Sequence, residues 1–372
     1  MSNQTELIPR KMPNDIIMLP KREQVIGVLR GEILDEIPIY NESAMDITVF
    51  NSLLPKSTGD FVTDVINITD FFHSSAIHLG IGLKREVLEK TEDVYRYRFE
   101  TGAVWREEYS PTFCREAESY PINTPKDIFE FEMPDANDPD RFTDKDIQDL
   151  KAFKEAGYFV EASVIGAWYG MYYFLTSFEN ALLWMAIEPE AAHCMINKLK
   201  KFSLDSAVRL LEAGADAIFT PSDFGSGSSL LFSPAMFREY FSPWLRELAD
   251  LCHQYGAFLH LHSHGYISPI MDLIVEAGVD MVNPIGPSDN NDLAEFKENW
   301  GDKITINGGV STLINGMTDK EIEEHLKNVM AIGRKGGRFF PRTESGIPPI
   351  GTDKLKSYYD ILLPLCREGY TA

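Results

Sequence analysis

The chain has 372 residues, 44% of them hydrophobic, and a formal net charge of -22. That is enough apolar material for one large core, and so acidic a surface repels nucleic acid and anionic lipid, which removes both as expected partners. Met1 to Arg30 has no basic flank followed by an apolar core, no stretch reaches the apolar length of a membrane span, and Cys114, Cys194, Cys252 and Cys366 form no CxxC pair; the expectation is a cytoplasmic protein with reduced thiols.

In chain order, a polar helical extension at the N-terminus leads into the first predicted strand, Ile37–Asn41. Asp64–Asp70 is the second. The region from about 83 to 149 breaks the pattern. In it Val94–Glu100 alternates, Thr101-Gly102 turns, and Ala103–Tyr109 returns as a hairpin partner. We expect this block to be an insertion in one domain spanning 1–372, not a domain of its own.

The remaining predicted strands are Tyr158–Val164, Asp216–Ser222, Ala257–His262, Asp280–Pro284, Lys303–Asn307 and Gly337–Arg342. Helix-period segments such as Ala235–Tyr255 and Asp319–Gly333 lie between them. Glu212-Ala213-Gly214-Ala215-Asp216 echoes Glu276-Ala277-Gly278-Val279-Asp280, and Glu155-Ala156-Gly157 is a third copy. Helix end, glycine cap and buried strand recur as in βα units. Eight parallel strands with intervening helices predict an α/β fold, a (β/α)8 TIM barrel.

A barrel places its chemistry at the C-terminal ends of its strands. Those ends carry Asn41-Glu42, Asp70, Glu161, Ser222-Asp223, His262-Ser263-His264, Asn283, Asn307-Gly308-Gly309 and, beyond Arg342, Thr343-Glu344-Ser345. Burying such groups unpaired costs about 1–3 kcal/mol each, so a ring of them at strand ends points to an active site. His260, His262 and His264 alternate along the fifth predicted strand and so share a face. Two imidazoles with Asp223 and Glu344, from strands across the mouth, make a donor set suited to zinc. Asn307-Gly308-Gly309 reads equally as a phosphate loop or a tight turn. Trp168, Tyr169 and Tyr172 follow the third strand, as packing or as an aromatic pocket wall.

His262-Ser263-His264-Gly265, Ile270-Met271-Asp272-Leu273-Ile274 and Glu276-Ala277-Gly278-Val279-Asp280 together resemble the uroporphyrinogen decarboxylase superfamily. So do Ser233-Pro234-Ala235-Met236-Phe237-Arg238-Glu239-Tyr240-Phe241, Asn307-Gly308-Gly309 and Ser345-Gly346-Ile347-Pro348-Pro349. The resemblance implies a (β/α)8 barrel. The arginine-rich loop with which porphyrin decarboxylases grip their substrate is replaced by Ile39–Asp46, which has no arginine and two carboxylates. An octa-anionic tetrapyrrole would be repelled there.

The other branch that the chain resembles is the corrinoid-dependent methyltransferases. Thiol-methylating members hold zinc through a His-x-Cys pair and a later cysteine; here the pair is His262 and His264, and the late position is Ser345. Nitrogen and oxygen ligands make zinc a better Lewis acid toward a hard oxygen than toward a thiol. The resemblance therefore implies a zinc-dependent O-demethylating methyltransferase. Its methyl donor is a small molecule, expected to be a methoxy-aromatic ether, and its acceptor is the Co(I) corrinoid of a small corrinoid-binding partner protein. His262, His264 and Asp223 or Glu344 would hold the ion. Asn41, Glu42, Asp70, Glu161, Trp168, Asn283, Asn307 and Arg342 would bind substrate, and His260 would orient a ligand. Self-association is compatible with all of this. The alternatives are a metal-free lyase or decarboxylase on a small non-porphyrin substrate, and a non-catalytic scaffold for a corrinoid protein.

Overall fold

Apolar runs behind glycine-capped helices become parallel strands, as the βα pattern predicts. In this computed structural model, which describes residues 21–41, 56–110, 112–345 and 352–372, the strands are β1 (Ala76–Gly80), β2 (Arg85–Lys90), β3 (Val94–Phe99), β4 (Val104–Glu108), β5 (Cys114–Ser119), β6 (Phe159–Ser163), β7 (Ala217–Pro221), β8 (Phe258–His262), β9 (Met281–Ile285), β10 (Thr305–Val310) and β11 (Phe339–Thr343). A seven-stranded sheet runs β1-β6-β7-β8-β9-β10-β11. All of its pairings are parallel.

The eighth barrel position is held by the segment ending at Asn41. It makes one parallel bridge, Ile39 to Ser74, and accepts from Ser75 N and Ala76 N through the carbonyls of Ile39 and Tyr40 at 2.8 Å. The Tyr40 ring then reaches the far edge of the sheet, 5.1 Å from the ring of Phe340 on β11. The predicted TIM-barrel architecture is therefore present, with its first strand reduced to a bridge.

One predicted strand is a helix. Asp64–Asp70 lies within the helix Phe61–Phe71, capped by Asp60, whose side chain accepts from Thr63 N. Val65, Ile66, Ile68 and Thr69 favour strands by their branching, but the cap and the packing of one helical face override that preference. The true second strand, β1, begins five residues after the helix ends.

The predicted hairpin is β3 and β4, in an antiparallel sheet of order β2-β3-β4-β5. This sheet fits the expected insertion. Its outer strands, Arg85–Lys90 and Cys114–Ser119, are charged and largely exposed, so they carry no apolar alternation to read. The predicted helix Ala235–Tyr255 is two helices, Pro234–Tyr240 and Ser242–Gln254, the second with Pro243 in its first turn. Among the described residues, no helix is long and apolar enough to cross a membrane.

The closed end of the barrel is pinned by charge. Asp216, just before β7, takes Arg22 Nη2 at 2.8 Å and Lys154 Nζ at 2.9 Å, and accepts from Val160 N at 3.0 Å. Around the sheet, the long helix Pro189–Ala213 buries Leu199, Phe202 and Leu210. Each such side chain contributes on the order of 1.5–3 kcal/mol.

Candidate active site at the mouth of the barrel

Residues paired across neighbouring parallel strands point to one face. Register pairs His78 with Glu161, Phe219 with His260, Pro221 with His262, His262 with Asn283, and Asn307 with Phe340. Arg342, two residues past Phe340, repeats its direction. The barrel interior thus turns polar from its middle upward. A packed TIM barrel fills this space with branched apolar side chains, so the departure needs a functional reason.

The middle layer is a closed network. Glu161 is 1% exposed. It accepts from Tyr40 OH at 2.6 Å and from His78 Nδ1 at 3.1 Å, and it takes a short hydrogen bond from His260 Nδ1. Burial alone would raise its pKa, but His260 and His78 outweigh that and hold the carboxyl well below its ordinary value. Burial and the Glu161 charge push the Tyr40 phenol up. Glu161 therefore sits deeper than a strand-end contact, and His260 is tied to it rather than to the upper pair of histidines.

The upper layer is open. The rings of His262 and His264 are 4.9 Å apart, nearly perpendicular. β8 ends at His262, so His264 reaches back over the mouth from the following loop. That loop depends on Gly265. Its φ is +86°, and an added Cβ would collide with the backbone of Gly225.

Asp223 Oδ1 lies 3.7 Å from His262 Nε2 and accepts from His264 N at 2.9 Å. His264 Nδ1 faces Asp289 Oδ2 at 3.2 Å, which leaves its Nε2 to the mouth. Burial drives the His262 pKa well below its ordinary value, reinforced by His264, Arg342 and His260. Burial pulls His264 the same way, but Asp289 and Asp223 prevail and its pKa is raised. His262 is thus a neutral imidazole, the form that ligates a metal. Glu344 is 1% exposed and takes Ser288 N at 3.2 Å; burial pushes it up to about 7, Asp289 adding to the effect.

The other predicted contacts divide. Asn283 and Asn307 point inward, fully buried, with every side-chain amide atom unpartnered, and Arg342 Nε is also buried without a partner. Asn41 ends the first barrel segment and is half-buried; Glu42 lies outside the described residues. Asp70 does not belong to the site. Because its segment is a helix, it sits at the closed end, bonded to Lys21 Nζ and Tyr158 OH at 2.6 Å. Trp168 is fully buried against Tyr172, Phe178, Phe232 and Phe241, and its Nε1 donates to Asp223 O at 2.8 Å. It holds the Asp223 backbone rather than forming a pocket wall. Gly308 is explained by packing, since a Cβ there would strike Ile285 O, which favours the turn reading of that loop. Tyr40, His78, Ser288 and Asp289 belong to the site and were not anticipated. Asp289, on a short 3-10 turn after β9, left no periodic signal; His78 becomes readable once β1 is placed correctly.

The model of the family described as uroporphyrinogen decarboxylase (URO-D) matches residues 116–350, more than half of the chain and every site residue from Glu161 to Glu344. Among solved structures, a methyltransferase from Methanosarcina mazei is similar over 94% of this chain and 99% of that one, with a TM-score of 0.68 at 16% identity. At that identity the likeness is one of fold. A 3-keto-D-glucoside 4-epimerase from E. coli has a TM-score of 0.37 at 17% identity, covering 67% of this chain and 96% of its own. A sugar phosphate isomerase/epimerase from Parabacteroides distasonis reaches 0.38 at 11% identity, covering 88% and 96%. Those two align too loosely to bear on function.

Proposed function

The chain belongs to the uroporphyrinogen decarboxylase family, and from that premise we propose that it is a zinc-dependent methyltransferase, moving the methyl group of a methoxy-aromatic ether to the Co(I) corrinoid of a small partner protein. The observation that carries this reading is the His262–His264 pair at the mouth, backed by Asp223 and Asp289. The full-length fold likeness to a methyltransferase supports it. The four free cysteines suit a reducing cytoplasm. A porphyrin substrate is disfavoured, because Arg342 is the one arginine that register directs into the barrel among the described strands.

The donors fit zinc in kind. His262 is neutral, and His264 has its second nitrogen held by Asp289, the outer carboxylate that orients a ligating histidine. Among the described residues, no three His, Cys, Asp or Glu side chains already converge on one point, so a carboxylate must move toward the pair. Asp223, 37% exposed and already 3.7 Å from His262 Nε2, is better placed to do so than the buried Glu344. A zinc ion there supplies Lewis acidity to the ether oxygen, making the phenolate a better leaving group. The corrinoid supplies the nucleophile that accepts the methyl group. Phe219, with its ring 5.6 Å from His262 and 5.0 Å from both His260 and His78, gives the substrate ring an aromatic wall. Glu161 fixes His260 and His78 beneath it.

Zinc uptake should release protons. The raised pKa of His264, which Asp289 and Asp223 sustain against burial, means that protons compete with the ion for this ligand at neutral pH. Zinc affinity is expected to fall as pH drops and His264 is protonated, and calorimetry in buffers of different ionisation enthalpy should detect proton release at pH 7. Zinc binding that is flat from pH 6 to 8, or absent, would remove the metal from the site.

The second reading is a metal-free decarboxylase-like lyase. Glu344 favours it, since a carboxyl near 7 can protonate a carbanion at neutral pH. Turnover of a carboxylic acid unaffected by chelators would establish this reading in place of the first.

A further inference from the structure

Five groups inside the barrel have no partner. Both amide atoms of Asn283 and of Asn307 are buried and unbonded, as are Arg342 Nε, His262 Nδ1 and His260 Nε2. Asn283 and Asn307 are fully buried. An orphaned buried polar group is destabilising, so the sequence retains several such penalties at one place.

These orphans share one surface. Asn283 stands beside His262 in the β8–β9 register, and Asn307 beside Phe340 in the β10–β11 register, with Arg342 the next inward residue on β11. Phe340 points inward, its ring 5.1 Å from that of Tyr40, and Arg342, two residues on along β11, shares that direction and enters the mouth. Arg342 has no acidic partner among the described residues. The interior carboxylate, Glu161, is already occupied by Tyr40, His78 and His260. What the layer lacks is an acceptor-rich anion. A planar guanidinium flanked by two amides matches a carboxylate, which can take charge-assisted bonds from all three.

We propose that Arg342, Asn307 and Asn283 form a carboxylate-binding subsite, so that the methyl donor is an acid, its carboxylate seated on β9–β11 and its methoxy group directed toward His262 and His264. This deepens the methyltransferase reading and rests on it for the methoxy end. The carboxylate end rests on the orphaned donors alone.

The test is equilibrium binding of 4-methoxybenzoate and 4-methoxybenzamide to the full chain by calorimetry, without any methyl acceptor. The pair differs in charge and hardly in shape. The wild type is expected to bind the acid at least tenfold more tightly than the amide. Arg342→Gln should abolish that preference and Arg342→Lys should restore part of it, with thermal melts confirming that both variants fold. Equal binding of the two ligands by the wild type, binding of neither, or a preference that survives in Arg342→Gln would overturn the proposal. The wild-type comparison stands even if a variant fails to fold. A preference for the acid without methyl transfer would keep the subsite and remove the methyltransferase reading. Transfer from a neutral methoxy-arene without any preference for the acid would do the reverse.

Discussion

Replacing His264 with alanine should lower methyl transfer at least about a hundredfold while leaving the barrel folded. The outer carboxylates that orient metal-bound histidines are worth on the order of 10–100-fold in affinity or activity, and a ligand itself is worth no less. The fold should survive because His264 is 35% exposed and its structural bond runs from backbone N to Asp223, which alanine retains. Asp289→Asn, removing only the charge behind His264 Nδ1, should fall between the variant and the wild type. Kinetics with melting curves and elemental zinc content check all three. Full transfer by His264→Ala would take the second imidazole out of the chemistry.

Glu161→Leu is expected to be the most destabilising single change in the interior. Glu161 is 1% exposed and neutralises or satisfies Tyr40, His78 and His260 at once. Breaking a buried charged cluster by removing one partner costs about 3–5 kcal/mol, which should lower Tm on the order of 5 °C or more. The sign of the pH dependence follows from its depressed pKa. In the unfolded chain Glu161 titrates near its ordinary 4.5, and in the fold lower. Its stabilising contribution is complete above about 4.5 and is lost as pH falls below that value. Calorimetric melts at pH 7 and pH 4 should therefore show a larger difference for the wild type than for Glu161→Gln. Identical acid sensitivity in the two would show that Glu161 does not carry this charge coupling.

Much of the barrel is legible in the sequence itself. β6 to β9 and β11 announce themselves as apolar runs after Gly157, Gly214, Gly256, Gly278 and Gly337, because a glycine cap and a buried parallel strand both leave strong local marks. The Phe61–Phe71 helix was misread since Val65, Ile66 and Ile68 carry strand propensity, and only its Asp60 cap and its packing reveal the helix. With that segment helical, Asp70 lies at the closed end and His78, on β1, takes its place beside Glu161. His262, His264, Asp223 and Glu344 were readable as strand-end polar residues. Asp289 was not, since it reaches His264 through a turn whose path no periodicity encodes. Tyr40 was hidden in a segment too brief to pair as a strand, and its role appears only when the barrel closes against Phe340.

The most direct measurement is single-turnover demethylation. Zinc-loaded wild-type chain is mixed with 4-methoxybenzoate and free cob(I)alamin, and the loss of the Co(I) absorbance is compared with the phenol released. We expect one equivalent of 4-hydroxybenzoate per methyl group accepted, silenced by a chelator and recovered on adding zinc back. Demethylation that ignores the chelator, or a zinc-bound chain that releases no phenol from any methoxy-aromatic donor, would contradict the assignment of His262 and His264 as the centre of methyl transfer.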